Sequence, residues 1–292
     1  MTPDRGWLLE AVTSWYGGAA RDLPWRRPDA TPWAVLVSEV MLQQTPVSRV
    51  LPAYAAWLAR WPTPSDLARC APGDAVRAWD RLGYPRRALR LHAAASAMVE
   101  RHGGSVPSSY VELRELPGVG DYTAAAVAAF AFGRRHVVLD TNVRRVLGRA
   151  LSGVATPGRS VTVAERSLAE SCLPDDGRVA ARLSVGLMEL GALRCRARDP
   201  RCDECPLAAA CAWRLAGAPA NGVRRPTQQY DGTDRQARGR LLAVLRDSGR
   251  PVTRRRLDAA WPDAVQRMRA LDGLVADGLV EPLPRGRFRL PA

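Results

Sequence analysis

The chain has 292 residues, 47% of them hydrophobic, enough for one large or two moderate domains with real cores, and its formal charge of +14 points to a polyanionic partner. No apolar run reaches bilayer-spanning length, and the opening MTPDRGWLLE lacks a basic region followed by a signal-type apolar core, which argues against a membrane protein and predicts a soluble, cytoplasmic one. All 43 basic residues are Arg and none is Lys, so no lysine amine is available to form a Schiff base with an aldehyde sugar.

Helical apolar periodicity, punctuated by Pro and Gly, predicts helices through Trp33–Gln44, Pro46–Arg60, Gly73–Leu82, Arg86–Arg101, Tyr110–Glu115, Tyr122–Phe132, Val143–Leu151, Val161–Cys172 and Arg178–Leu193. No succession of strands and no internal repeat interrupts them, so residues 1–217 read as one all-α domain. Ala216 to Thr233, AGAPANGVRRPTQQYDGT, has linker composition, and the linker is drawn at 218–234. Beyond it, residues 235–247, 253–261 and 263–277 read as helices, and LVEPLPRGRFRL as two short strands around an Arg285-Gly286 turn. Three helices with such a hairpin make a short winged-helix-like module, 235–292, or a plain packing module; fold alone does not separate the two.

Within the helical domain, Leu116-Pro117-Gly118-Val119-Gly120 lies between two helical patterns. Ser109 and Glu112 have capping-box spacing for the first helix, and Asp121 is placed to cap the second, Ala-rich one, which ends near Gly133. Gly118 and Gly120 allow left-handed backbone angles and a close approach of amide N–H groups to a phosphate; an ordinary helix-helix turn is the alternative. Asp140 then precedes Thr141-Asn142-Val143 at a helix start, where the dipole favours its ionised form by roughly 0.3–1 kcal/mol, or where it is simply a cap. Glu39 stands in the middle of WAVLVSEVMLQQT, Trp33–Thr45, a helix apolar on most of its circumference. Desolvation there would raise its pKa and suit it to general acid work, although most helical Glu residues are merely solvated.

Late in the chain, Cys195, Cys202, Cys205 and Cys211 form C-x6-C-x2-C-x5-C. Four thiolates in one loop can enclose zinc or ligate a [4Fe–4S] cluster, and ligand chemistry leaves the two level. With six Cys in all, the crowding fits a reducing compartment and a metal site better than a disulfide framework. Arg194, Arg196, Arg198 and Arg201 around them are phosphate contacts or solvated surface.

Taken together, SEVMLQQT, LPGVG, LDTNV and the cysteine spacing resemble the A/G-mismatch adenine DNA glycosylases, the MutY family of the endonuclease III-like helix-hairpin-helix superfamily, over roughly residues 7 to 215. The resemblance implies a helical barrel plus a cluster-bearing helical subdomain, with the target adenine flipped out of the duplex into the cleft between them. It also implies a [4Fe–4S] cluster on the four cysteines in preference to zinc. Glu39 would protonate the adenine being excised, Asp140 would support the cationic sugar, and Tyr122 and Asn142 would orient the site. Tyr122 stands where strand-cutting relatives carry a catalytic Lys. With no Lys in the chain, a monofunctional enzyme is expected, leaving an abasic site to a separate endonuclease. Gln44 and Tyr84 match residues that wedge into the duplex, Leu116, Gly118 and Gly120 the phosphate grip, and Arg26 of LPWR a contact near the base pocket. The expected partner is double-stranded DNA carrying adenine opposite 8-oxoguanine or guanine, bound by a monomer at the nucleoid.

Three departures from the family pattern stand out. Pro85 follows Tyr84 where a second Tyr is usual, Val185 replaces a Gln or Glu that would hydrogen-bond the adenine, and only about sixty residues follow the linker where the family carries a long Nudix-like 8-oxoguanine reader. A thymine glycosylase for T/G mismatches shares the hairpin, the cluster and the Tyr, but its relatives differ at SEVMLQQT. A non-catalytic iron–sulfur DNA-binding protein is the reading from another class.

Overall fold

The computed structural model describes residues 5–220 and 230–292; residues 1–4 and the middle of the expected linker, 221–229, lie outside the described residues. The chain is largely helical, in the order α1 (Gly6–Ala19), α2 (Pro32–Leu42), α3 (Val47–Arg60), α4 (Pro64–Ala68), α5 (Pro72–Trp79), α6 (Arg86–His102), α7 (Tyr110–Arg114), α8 (Asp121–Phe132), α9 (Thr141–Ser152), α10 (Val163–Glu170), α11 (Gly177–Leu193) and α12 (Ala212–Leu215). There follow α13 (Asp234–Arg246), β1 (Val252–Thr253), α14 (Arg254–Asp258), α15 (Ala264–Ala276), β2 (Glu281–Leu283) and β3 (Arg287–Arg289). No helix among the described residues is long and apolar enough to cross a membrane.

These elements form two compact units, neither continuous in sequence: among the described residues, 5–35, 108–111 and 120–220 make one, and 36–107, 112–119 and 230–292 the other. In the first, the cysteine-bearing unit, α11 is the central helix. It packs on α1, α8 and α9, and its Leu183, Leu187 and Leu190 meet Leu8 and Val12 of α1 and Val143, Val146 and Leu147 of α9. The i, i+4, i+7 spacing of these leucines puts them on one face, so burial rather than propensity holds the helix in place.

The second, barrel unit is built on α3 to α6. Trp57 and Trp79 are fully buried and meet edge to face with centroids 5.5 Å apart, and Trp61 packs on Trp57 at 4.6 Å. The C-terminal segment belongs to this unit. Its α13 packs on α15, and its three strands form an antiparallel sheet in the order β1-β3-β2, with Pro282 opposite Phe288 and Val252 opposite the other edge of Phe288.

The helices predicted for the domain are present, with boundaries moved by one to three residues. Three were not anticipated, one of them the four-residue α12. Helix α1 lacks a side-chain cap and ends in Gly17-Gly18, so its start and stop signals are weak, and only Leu8 and Val12 bury fully. Helix α4 has only five residues, although Thr63, Pro64 and Asp66 give it a complete capping box. Asp121 does not cap α8: Gly120 occupies the N-cap position, and Asp121, the first helical residue, instead accepts a hydrogen bond from the Tyr110 hydroxyl at 3.0 Å.

Candidate active site

Helix α2 carries the first acid. Every residue from Trp33 to Met41 is buried, Glu39 among them at 5% exposure, so this carboxyl is withdrawn from solvent. What finishes the helix is a side chain from elsewhere. No basic residue lies in the last turn of α2, and its terminal carbonyls are met by Arg87 of α6, whose Nη1 donates to the carbonyls of Val40, Met41 and Gln43 at 2.9, 3.0 and 2.6 Å. The other arm, Nη2, donates to Thr45 Oγ1 at 2.9 Å and to the carbonyl of Gly83 at 3.0 Å.

One guanidinium therefore fastens the loop after α2 to the loop before α6. These are the loops of Gln44 and Tyr84, the two residues matched to the duplex wedge. Both residues are exposed and both have left-handed backbones, with φ of 57° and 46°, an uncommon state for a side-chain-bearing residue. Pro85 fits this geometry without strain: it forms the N-cap of α6 at φ −63°, and a residue before proline is steered away from the right-handed helical region. Arg87 also lies over the rings of Trp79 and Tyr84, 5.1 and 5.6 Å from their centroids. Burial pulls its pKa down to about 10, so it remains a cation at neutral pH, held by backbone oxygens and Thr45 and by no carboxylate among the described residues.

The hairpin follows its sequence at Gly118, with an added reason for that glycine, but not at Gly120, whose φ of −88° any residue adopts and where a Cβ would meet nothing within 4 Å. Val119 N–H closes a tight turn on Leu116 O at 3.1 Å, and Leu116 and Val119 are buried anchors. Gly118 has φ 78°, and a Cβ placed there would lie 2.6 Å from Cβ of Arg90 on α6. Glycine is required twice, by the backbone angle and by the close approach of α6. A crevice between Val40, Gln43, Arg87, Arg90 and Gly118 joins the end of α2 to the hairpin.

The second acid lies in the cysteine-bearing unit. Asp140 is the N-cap of α9, accepting from Val143 N–H at 2.6 Å and from the Asn142 amide at 2.8 Å. Desolvation nevertheless outweighs those hydrogen bonds and pushes its pKa above the ordinary carboxylate value, so the favourable cap expected from sequence is only part of its electrostatics. Asn142 in turn accepts from Arg145 Nη2 at 2.7 Å, and Arg145 also donates to the carbonyls of Gly191 at 2.8 Å and Cys195 at 2.7 Å. A Cβ on Gly191 would lie 2.5 Å from Cβ of Asn142, so α11 and α9 touch backbone to side chain at this point. Tyr122, on α8, is half-buried against Ala125, Ala126, Ala129 and Val138.

Arg26, matched to a contact near the base pocket, is engaged within the protein: its Nη1 bonds Glu189 at 2.7 Å, while Arg21 reaches the same carboxylate through Nε at 2.6 Å and Nη2 at 2.8 Å. Glu189 is fully buried. Desolvation alone would raise its pKa, but the two guanidiniums and the Arg21 backbone N–H together hold it below the ordinary value. An acid buried in the apolar run of α11 needs cations, and the Leu23–Arg26 turn supplies one of them.

All four motif cysteines are half-buried, and Arg149 supports their loop from α9. It donates to Arg196 O at 2.8 Å and to Cys195 Sγ at 3.5 Å, and stacks on Trp213 at 4.4 Å. Of the flanking arginines, Arg194 and Arg201 pair with Glu204 and Arg196 bonds Asp199 O, whereas Arg198 is exposed. Among the described residues, no group of three or more His, Cys, Asp or Glu stands in an arrangement that could hold a metal ion. The donor set still suits a thiophilic one. Burial, followed by the neighbouring thiols, raises the pKa of Cys202; at Cys205 burial and the same neighbours push it up to about 11, and a bound cation would relieve that penalty.

Residues 37–171 match the family model described as HhH-GPD superfamily base excision DNA repair protein. The chain is 53% identical over 280 residues to the adenine DNA glycosylase of Mycolicibacterium smegmatis, covering 96% of this chain and 94% of that protein. It is 40% identical to the human adenine DNA glycosylase, over 72% of this chain and 39% of that one. The structure is similar to that of a thermostable thymine-DNA glycosylase, with a TM-score of 0.65, 27% identity, and coverage of 73% of this chain and 97% of that one. The chain therefore belongs to the HhH-GPD superfamily of base excision DNA repair proteins, and within it to the adenine DNA glycosylase family.

Proposed function

We propose that the chain removes adenine mispaired with 8-oxoguanine or guanine from double-stranded DNA by hydrolysing its N-glycosidic bond. The observation that carries this reading is a buried carboxyl, Glu39, on a helix buried from Trp33 to Met41, inside the SEVMLQQT motif. Glu39 protonates a ring nitrogen of the adenine, which makes the base a neutral leaving group. Asp140, fixed by Val143 and Asn142, supplies the negative charge that an oxocarbenium-like sugar requires. Water then adds to the sugar, with Glu39 able to take its proton, and the product is an abasic site. Tyr122 has no amine to trap that product as an imine, so strand cleavage falls to another enzyme. Gln44 and Tyr84 fill the space vacated by the extruded base, and Leu116, Gly118 and Gly120 hold the phosphate backbone. Cys195, Cys202, Cys205 and Cys211 hold a [4Fe–4S] cluster, which when bound ties their loop together; iron and acid-labile sulfide assays of the purified protein check this.

Single-turnover base release from duplexes carrying adenine or thymine opposite 8-oxoguanine, guanine or cytosine tests the assignment. Adenine release from the mispairs, lost by roughly a hundredfold or more in Glu39→Gln, is the expected result. Full release by that variant, or release of thymine in place of adenine, overturns it.

A further inference from the structure

The C-terminal module carries a cluster of arginines that the glycosylase reading does not use. The hairpin between β2 and β3 brings its tip back to the start of α14: Arg254 N–H donates to Gly286 O at 3.0 Å, and Arg287 pairs in register with Thr253. Arg255 and Arg256 on α14, Arg285 at the tip and Arg287 on β3 are all exposed, and none of the four forms an ion pair among the described residues. The nearby acids are already engaged. Asp258 bonds Arg254 and Arg267, and Glu281 bonds Arg289. Arg285 holds φ 61°, an unusual angle for a side-chain-bearing residue, and so stands at the apex of the turn.

The module is fixed to the barrel unit at several points. Gly73 N–H at the start of α5 donates to Pro291 O at 2.8 Å, and a Cβ on Gly73 would collide with that carbonyl. Arg77 Nε donates to Arg246 O, and Arg246 Nε returns to Val76 O, both at 3.1 Å. Asp277, after α15, bonds Arg86 of α6 at 3.2 Å and also Arg238. Arg86 lies one helical turn before Arg90, the residue against which Gly118 of the hairpin packs. One helix thus contacts both the module and the phosphate-gripping hairpin.

We propose that the Arg255–Arg256–Arg285–Arg287 edge is a second binding surface for the phosphate backbone of duplex DNA, extending the hairpin's footprint without reading bases. This rests on the DNA glycosylase reading only for the presence of a duplex. The distribution of charge favours backbone contact over base readout. The exposed face of α15 carries Val265, Met268 and Asp272, and its arginines are held in ion pairs, Arg267 by Asp258 and Arg269 by Asp234, while the guanidiniums without an ion pair sit on α14 and the hairpin.

The test compares the full-length protein with a variant carrying Arg255→Ser, Arg256→Ser, Arg285→Ser and Arg287→Ser, binding an undamaged duplex across a salt series. The expected result is affinity lower by about tenfold or more at low salt, with the slope of log affinity against log salt shallower by about 2–4, near one per lost phosphate contact. Adenine release by the saturated variant stays at the wild-type single-turnover rate. Unchanged affinity and slope overturn the proposal, as does loss of duplex binding in Val265→Ser/Met268→Ser but not in the arginine variant. Absence of adenine release in the wild type sinks the proposed function and leaves the binding comparison intact.

Discussion

Two buried charges, one in each unit, are satisfied in opposite ways. In the cysteine-bearing unit the anion Glu189 is enclosed by two guanidiniums and a backbone N–H; in the barrel unit the cation Arg87 is enclosed by carbonyl oxygens and a threonine hydroxyl, with no ion pair among the described residues. A buried carboxylate has few ways to be satisfied and draws full opposite charges, so it joins α11 to the Leu23–Arg26 turn as a strong, pH-sensitive clamp. A guanidinium offers five donors on a rigid plane and can gather the unpaired carbonyls of a helix end and a loop. The first arrangement fixes an element, while the second shapes the two loops that carry Gln44 and Tyr84.

The sharpest way to break the comparison is Glu189→Ala, which strands Arg21 and Arg26 without a counter-charge. A loss of about 3–5 kcal/mol in urea unfolding is expected, and a loss under about 1 kcal/mol would show that both guanidiniums simply turn to water. Arg87→Met leaves the carbonyls at the end of α2 without their side-chain donor, Gly83 O keeping its bond from Trp79 Nε1, and is expected to cost about 2–3 kcal/mol. Arg87→Lys separates shape from charge. Its single ammonium cannot reach both loops, so binding of a mispaired duplex should weaken by about tenfold or more while the unfolding midpoint moves less than in Arg87→Met.

Gly118→Ala tests the hairpin, with an expected cost of about 1–3 kcal/mol from the left-handed angle and the contact with Arg90. The smallest effect is that of pH. Glu189 has a folded pKa below its unfolded 4.5, so its stabilisation is complete above about 4.5 and disappears as the pH falls through the folded value. The wild-type unfolding midpoint should therefore fall more steeply on acidification below pH 4.5 than that of Glu189→Gln. Parallel slopes would remove Glu189 from the account.

Helices and caps were legible because their signals are local: Asp140 ahead of Val143, Gly133 ending α8, and apolar spacing along α2 and α11. The clamps were not. Arg21 and Arg26 lie more than 160 residues from Glu189, and Arg87 binds carbonyls, which every residue has and no sequence pattern marks. Arg145 and Arg149 did leave a trace, one helical turn apart and with Asn142 a turn before Arg145, but the flanking arginines of the cysteine loop drew the reading instead. Arg26 pointed inward for the same reason: the motif LPWR shows a cation, not the buried acid that claims it. Asp121 failed as a cap because Gly120, with no side chain to offer, already holds that position.

The contact of Gly191 with Asn142 changes how a map of mutational tolerance would have to be read. Any side chain at residue 191 must push α9 from α11, and with it the amide that holds Asp140 and the arginine that holds the Cys195 carbonyl. A screen scoring every substitution by repair activity would therefore rank this glycine beside the acids themselves, although it has no side chain with which to touch the adenine. Intolerance at such a position reports the spacing of two helices, so only variants scored for both folding and base release would tell it apart from the chemistry.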